Sequence, residues 1–378
     1  MKIALFGGSF DPVHNEHIEF IKAAKKTLAL DKIIVIPSHL APHKRLGAVA
    51  KDEDRLNMCR LALQDVEYAE VSDFELCRKE KNYTYITAEH FAEIYRGSEL
   101  YFLVGADMLE DFFTWKNPER ILSAVTLAAC NRGEESVRGT HKKFRERFLT
   151  DYIEIPFTGK ETSSTELRVK LAFGKETEEL PARVSEYIRD KELYRYPVIA
   201  PALALEKEER KEHSFRVALM AVARARGLNI AEGKAMLAAA LHDCGKYVPL
   251  DSPLLKGFVL PDNEVPAPVV HQYTGAYLAE HCFGIEDEEI LDAIRYHTSG
   301  REDMTPLGKL IFLADMLESG REFDGIEELR KAFWRDLDEC LLLCFEHQNA
   351  YLKKNENKGF FIYSLTERAY EWLKRHRT

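Results

Sequence analysis

What the chain lacks narrows it before any motif is considered. Its seven cysteines include no CxxC pair and their number is odd, so they read as reduced thiols in a cytosol. Cys340 and Cys344 lie four apart on a predicted helix and read as packing residues. Basic charge is short: the formal net charge is -10. That argues against a protein that coats nucleic acid, which needs a basic face. It leaves room for small anionic substrates, which need only a few local cations. The opening stretch MKIALFGGSFDP lacks the long apolar segment and cleavage site of a signal peptide. No run approaches the roughly 20 apolar residues that cross a bilayer. The expectation is a soluble, cytoplasmic protein with no membrane partner. Internal repeats and low-complexity tracts are also missing. What is present is ample core material, with 46% hydrophobic and 11% aromatic residues. A length of 378 residues favours two domains over one.

The two halves differ in periodicity. In the first, short β-branched or apolar runs (KIALFGG, KIIVIPS, AEVSDFEL, ELYFLVGAD, VTLAACNR, DYIEIPF) alternate with helical patterns such as HIEFIKAAKKTLAL, DRLNMCRLALQD and YITAEHFAEIYR. Such alternation predicts βαβ units, hence a mostly parallel sheet with helices on both faces and ligands at the carboxyl ends of its strands. From about Pro201 helical patterns dominate, ending in the long stretch EELRKAFWRDLDECLLLCFEHQNAYLKK, and convincing strands are absent. The change falls near YRYPVIAPALALE, where Pro197 and Pro201 interrupt regular structure. The predicted division is an α/β domain over residues 1–196 and an all-α domain over 197–378.

The first chemical cluster is GGSFDPVHNEH, residues 7 to 17. Gly7 and Gly8 permit a tight turn and close approach of backbone to a ligand. A helix starting near His14 offers free N–H groups and a positive dipole end to an anion. His14 and His17, three apart, share one helix face. This stretch resembles the HxGH nucleotidyltransferases, most closely the nicotinate-mononucleotide adenylyltransferases, whose domain is Rossmann-like. The resemblance runs to about residue 195. PSHLAPHK (37–44) looks like that family's substrate loop, SDFELCRKEKNYTY and LVGADMLEDFFTWK its middle segments, TSSTELR (162–168) its late motif, and YIRDKELY its closing helix.

The resemblance implies adenylyl transfer from ATP to nicotinate mononucleotide, giving nicotinate adenine dinucleotide and pyrophosphate. His14 and His17 would contact the ATP phosphates, as part of a binding set with Gly7, Gly8, Ser9, Phe10 and Gly105. Ser163, Ser164 and Thr165 would begin a helix that holds pyrophosphate, with Arg168 adding charge, and Lys44 is a further phosphate ligand. Asp107 would bind a ribose hydroxyl. Trp115, with Tyr83 and Thr84, would line the nicotinate pocket. A Mg ion carried by the nucleotide is implied. The chain departs from the family pattern at Glu16, which replaces the HxGH glycine, at Ile86, where an Asp is common, and at Thr162, which replaces an apolar residue.

The second cluster centres on LHDCGK, with His242 beside Asp243. Further candidate ligands recur in or beside apolar helical stretches, where an unpaired polar side chain is costly: His213, His271, His297 and Asp315. Four histidines and two aspartates make a mixed N/O donor set suited to Fe, Mn, Co or Zn. His281, His347 and His376 lack such context and read as surface or packing residues. ERKEHSFRVALMA, LAAALHDCGK, RYHTSG and LIFLADMLESGR resemble the HD-domain metallophosphohydrolases, and within them the YqeK-like proteins. That implies two transition-metal ions held by His213, His242, Asp243, His271, His297 and Asp315, with Asp243 bridging. It also implies symmetrical hydrolysis of diadenosine tetraphosphate to two ADP. Lys246, Thr298 and Arg321 are candidate phosphate contacts.

Together these features predict a bifunctional enzyme acting on ATP, nicotinate mononucleotide and diadenosine tetraphosphate. A second reading keeps the hydrolase and makes the first half a nucleotide-sensing module weakened by Glu16. A third gives the hydrolase another phosphoester, such as a deoxynucleotide, a nucleoside monophosphate or a guanosine alarmone. A fourth is a helical interaction module with buried histidines and no metal. A homodimer is compatible with all four.

Overall fold

The structure, a computed structural model, describes residues 1–39, 50–78, 82–130, 134–157, 159, 162–262, 264–355 and 361–376, with the side chains of 106, 107, 110 and 134–139 excepted. Lys44 therefore lies outside the described residues, as does the side chain of Asp107. The described residues form two compact units. One runs to Arg168 and includes Glu176–Tyr194; the other comprises Val169–Lys175 and the residues from Arg195 onward.

The first unit is built on six strands: β1 (Lys2–Gly8), β2 (Lys32–Pro37), β3 (Ala69–Val71), β4 (Glu99–Val104), β5 (Thr126–Cys130) and β6 (Ile153–Ile155). Their order is β3-β2-β1-β4-β5-β6 and every pairing is parallel. The central strands carry unbroken apolar runs rather than alternation. Ile3, Ala4 and Leu5 of β1 and Ile33, Ile34 and Ile36 of β2 are fully buried, as a sheet covered on both faces requires. The expected Rossmann-like α/β fold is thus present. Crossing from β3 back to β4 on the far side of β1 makes a topological switch point, which opens a crevice at the carboxyl ends of β1 and β4. Gly7, Gly8 and Gly105 stand at those ends.

The second unit is helical. Among its helices are Glu208–Ala225, Glu232–Leu241, Val270–His281, Glu288–Arg295 and Pro306–Leu317. Helix Glu232–Leu241 is buried nearly all round: Gly233, Ala235, Met236 and Ala238 to Leu241 have little or no exposure. Its alanines let neighbouring helices approach closely, so whatever follows Leu241 emerges in the interior. The long pattern near residues 327–354 forms two helices, Ile326–Arg335 and Leu337–Lys354. The break is at Asp336, which adopts an extended conformation and accepts the Glu339 N–H at 2.8 Å. Among the described residues, no helix is long and apolar enough to cross a membrane.

Candidate active sites

At the end of β1 the chain turns through Phe10, which has φ 47 and is 2% exposed. A Cβ on Gly8 would stand 3.0 Å from the Phe10 ring. His14 is the extended residue that precedes helix Asn15–Leu28. Its N–H donates to His17 Nδ1 at 3.2 Å. That bond assigns the proton of a neutral His17 to Nε2, a donor suited to a phosphate oxygen. The two imidazole rings lie 3.7 Å apart between centroids. Burial lowers His14 to about 4 against a smaller opposing pull from Glu179, and burial with the neighbouring His14 holds His17 well below the usual range. His14 Nδ1 is buried with no hydrogen-bond partner.

The late motif packs against the same loop. Ser164 Oγ donates to Pro12 O at 3.0 Å, and Ser163 Oγ accepts the Glu166 N–H at 3.1 Å at the start of helix Ser164–Ala172. Thr165 accepts from Arg168 Nη2 at 3.2 Å. Arg168 is 8% exposed and also donates to the Asp11 carbonyl. The structure thus brings His14, His17, Ser163, Ser164, Thr165 and Arg168 to one loop. Glu16 turns its carboxylate against Gly159, where an added Cβ would overlap Oε2. Elsewhere, Trp115 is half-buried against Phe102 and Phe112. Tyr83 precedes helix Thr84–Ile94, with its ring stacked at 5.9 Å on Tyr85. Ile86 lies in that helix, and Thr162 lies just before helix Ser164–Ala172.

In the helical unit, His242 and Asp243 follow the last residue of Glu232–Leu241 and stand at the negative end of its dipole. A carboxylate there is unfavourable unless cations compensate it. Three histidines are oriented through Nδ1, which donates to Ala239 O from His242 at 2.7 Å, to Ile294 O from His297 at 2.8 Å and to Glu318 Oε1 from His213 at 3.1 Å. All three therefore present Nε2 lone pairs to the centre. His242 Nε2 lies 3.5 Å from Asp243 Oδ2, and His271 and His297 Nε2 lie 3.2 and 3.7 Å from Oδ1. His213 Nε2 is 2.9 Å from Asp315 Oδ1. His271 and His297 face each other Nε2 to Nε2 at 3.0 Å.

This donor set fits a metal. The Nε2 atoms of His213 and His242 are buried without a hydrogen-bond partner, an arrangement that is costly unless a Lewis acid takes the lone pairs. Two overlapping triads, His213–His242–Asp315 and His242–Asp243–His297, have mutually close ligand atoms. Burial opposes charge on Asp243 and Asp315, yet the surrounding histidines outweigh it and hold both carboxyls well below the usual range. Lys246 Nζ is 3.2 Å from both Asp243 oxygens, and Arg321 Nη2 is 2.7 Å from Asp315 Oδ1. Thr298 Oγ1 is 3.2 Å from His271 Nε2.

Residues 5–170 match the cytidylyltransferase-like family and residues 210–320 the HD domain. A Mycoplasma genitalium protein named probable nicotinate-nucleotide adenylyltransferase/Ap4A hydrolase is 30% identical over 366 residues, covering 93% of this chain and 99% of that protein. The chain belongs to this family of adenylyltransferase–hydrolase fusions. A Clostridium tetani protein named probable nicotinate-nucleotide adenylyltransferase is 36% identical and covers 51% of this fusion and 99% of its own length. A Clostridium acetobutylicum HD superfamily hydrolase described as involved in NAD metabolism is 34% identical, with a TM-score of 0.44. It matches 48% of this chain and 96% of its own.

Reading the fusion's sequence misses several residues at these sites. Arg55 is fully buried and donates to Ser9 O at 2.6 Å and Ser38 O at 2.7 Å, tying together the loops after β1 and β2. Glu318, 1% exposed, orients His213 and also receives Arg216. Burial opposes its charge, but His213 and Arg216 pull it down to about 2. Arg210 Nη1 is 2.8 Å from Asp243 Oδ2. Gln272 accepts the N–H groups of Thr298 and Ser299 and so fixes the turn after His297. Position relative to a ligand is the available signal: Arg210 precedes His213 by three, and Glu318 follows Asp315 by three.

Proposed function

We propose that the first unit transfers an adenylyl group from ATP to nicotinate mononucleotide and that the second hydrolyses diadenosine tetraphosphate symmetrically to two ADP. The observation that carries the second activity is the convergence of four imidazole Nε2 atoms on Asp243 and Asp315. For the first, it is the joining of the two histidines and the Ser163–Thr165 helix start to one loop.

In the first unit the phosphate oxygen of nicotinate mononucleotide is already an anion, so the chain's task is positioning and charge dispersal. His17 donates from Nε2 to an α-phosphate oxygen and His14 supplies the second imidazole. The backbone N–H groups opening helix Ser164–Ala172 receive the outgoing pyrophosphate. Arg168 keeps the Asp11–Pro12 loop fixed beneath them. A Mg ion travels with the ATP.

In the second unit His213, His242, His271, His297, Asp243 and Asp315 would hold two divalent transition-metal ions. Such ions neutralise charge on the entering and leaving oxygens and lower the pKa of water. Glu318 and the Ala239 and Ile294 carbonyls keep the imidazoles in the ligating tautomer. Lys246 and Arg321 add positive charge at the rim.

Two substitutions test the reading. Asp243→Ala is expected to abolish release of ADP from diadenosine tetraphosphate while leaving adenylyl transfer within about twofold, and His17→Ala to do the reverse. Loss of both activities from either change, in a protein that still melts cooperatively, contradicts two independent sites.

A further inference from the structure

Asp243 is approached by more cationic charge than one carboxylate needs. Arg210 reaches Oδ2, and Lys246 reaches both oxygens. Arg210 lies one turn before His213 on helix Glu208–Ala225, so a single helix face delivers a ligand imidazole and a guanidinium together. The Arg210 side chain is 19% exposed, yet its Nη1 is buried and makes no well-formed hydrogen bond. A guanidinium carries five donors in a planar fork matched to phosphate. The contact to Asp243 and a bond to the Tyr247 hydroxyl leave part of that fork unused.

Beside this charge lies a partly exposed aromatic ring. Tyr247 directly follows Lys246 and is 41% exposed, with the Lys207 ammonium 4.6 Å from its ring centroid. Leu250 and Leu254 are also exposed. The Arg210 guanidinium and the Lys246 ammonium thus meet at Asp243, with the Tyr247 hydroxyl against Arg210. Arg210, Lys246 and Arg321 supply three cations where one phosphate would engage the ligand centre. The surplus matches phosphates further along a chain, and an aromatic face suits the base at its end.

We propose that Arg210 binds the phosphate adjoining the one attacked and that Tyr247 stacks on the attached nucleobase, so that the pair selects nucleoside polyphosphates over simple phosphoesters. This deepens the hydrolase assignment above and rests on it.

The test uses the full chain, with metal content measured by mass spectrometry and with the manganese-dependent binding of ADP and of inorganic pyrophosphate, the difference between loaded and chelator-stripped protein, measured by calorimetry so that binding at the first unit cancels. Arg210→Ala is expected to keep its metal and to bind both probes roughly 10- to 100-fold more weakly, as loss of a charge-assisted contact implies. Tyr247→Leu is expected to weaken ADP about tenfold, the scale of one base stacking on an aromatic ring, and to leave pyrophosphate unchanged. Should Arg210→Ala fail to fold, Arg210→Lys, which keeps the charge without the fork, must still weaken both probes severalfold. The inference is overturned if Arg210→Ala loses metal while its loaded fraction binds ADP normally, since Arg210 then only positions Asp243. It is equally overturned if Tyr247→Leu leaves ADP binding intact. Wild-type protein that takes up no metal and shows no manganese-dependent ADP binding sinks the hydrolase assignment itself. Wild-type protein that does both, with unaltered variants, sinks only the grip.

Discussion

Gly245 shows how little room surrounds the metal ligands. An added Cβ would overlap the Gly275 backbone nitrogen and Thr274 Oγ1. Backbone cannot yield as a flexible side chain can, so Gly245→Ala must push the His242–Lys246 turn away from helix Val270–His281. We expect a loss of about 2–3 kcal/mol in urea unfolding together with reduced metal content. An alanine variant of wild-type stability would show that the turn has slack. His14 gives a prediction of opposite character. Its folded pKa, lowered to about 4 mainly by burial, lies below the unfolded value of 6.5. As pH falls below 6.5 the unfolded chain takes up a proton that the folded one refuses. Stability is therefore full above pH 6.5 and declines until about pH 4. His14→Gln should flatten that acid limb by roughly 3 kcal/mol in unfolding measured at pH 7.5, 5.5 and 4.5. An unchanged slope would mean that His14 is not desolvated. Both residues stand inside motifs that sequence reading singles out. Arg55 and Arg210 are not singled out, although Arg210 lies inside ERKEHSFRVALMA, because a charged residue on an amphipathic helix reads as a solvated face until tertiary structure buries it.

At the scale of elements, periodicity identifies all six strands and most helices, since buried parallel strands have unbroken apolar runs and these are short. Strand order is not legible. That β1 lies between β2 and β4 follows from the crossover path of the chain, which no local pattern encodes. The split at Asp336 is missed for another reason. Residues 327–354 keep a helical apolar stripe on both sides of the break, and a lone Asp in a charged stretch is a weak stop signal. Its role appears only in the bond from the Glu339 N–H, with Asp338 and Glu339 adding favourable charge in the first turn. Asp336→Ala should cost about 1 kcal/mol of stability. It should leave metal content unchanged, because no ligand lies on either flanking helix. A drop in bound metal would mean that the helix pair supports the centre in a way the capping bond does not explain.

Across the whole helical unit, the ligand cluster joins segments that the sequence scatters. His213 comes from helix Glu208–Ala225, His242 and Asp243 from the turn after Leu241, and His271 from helix Val270–His281. His297 comes from the turn after helix Glu288–Arg295, and Asp315 from helix Pro306–Leu317. Five elements thus spend part of their interior on polar atoms that no apolar neighbour can satisfy, and two of the imidazole nitrogens face carboxylates without a well-formed hydrogen bond. An ion that binds only when those elements are assembled adds its binding free energy to folding, about 4 kcal/mol at a thousandfold excess over its dissociation constant. For a domain of this size that corresponds to a shift of about 10 °C. Stripping metal with a chelator should therefore lower the melting transition of the helical unit by that order, and manganese added after the chelator is removed should restore it. Adenylyl transfer, assayed with fresh Mg, should survive the same treatment. If the stripped protein melts where the loaded one does, the buried nitrogens are satisfied without an ion, and the cluster is a polar core rather than a metal centre.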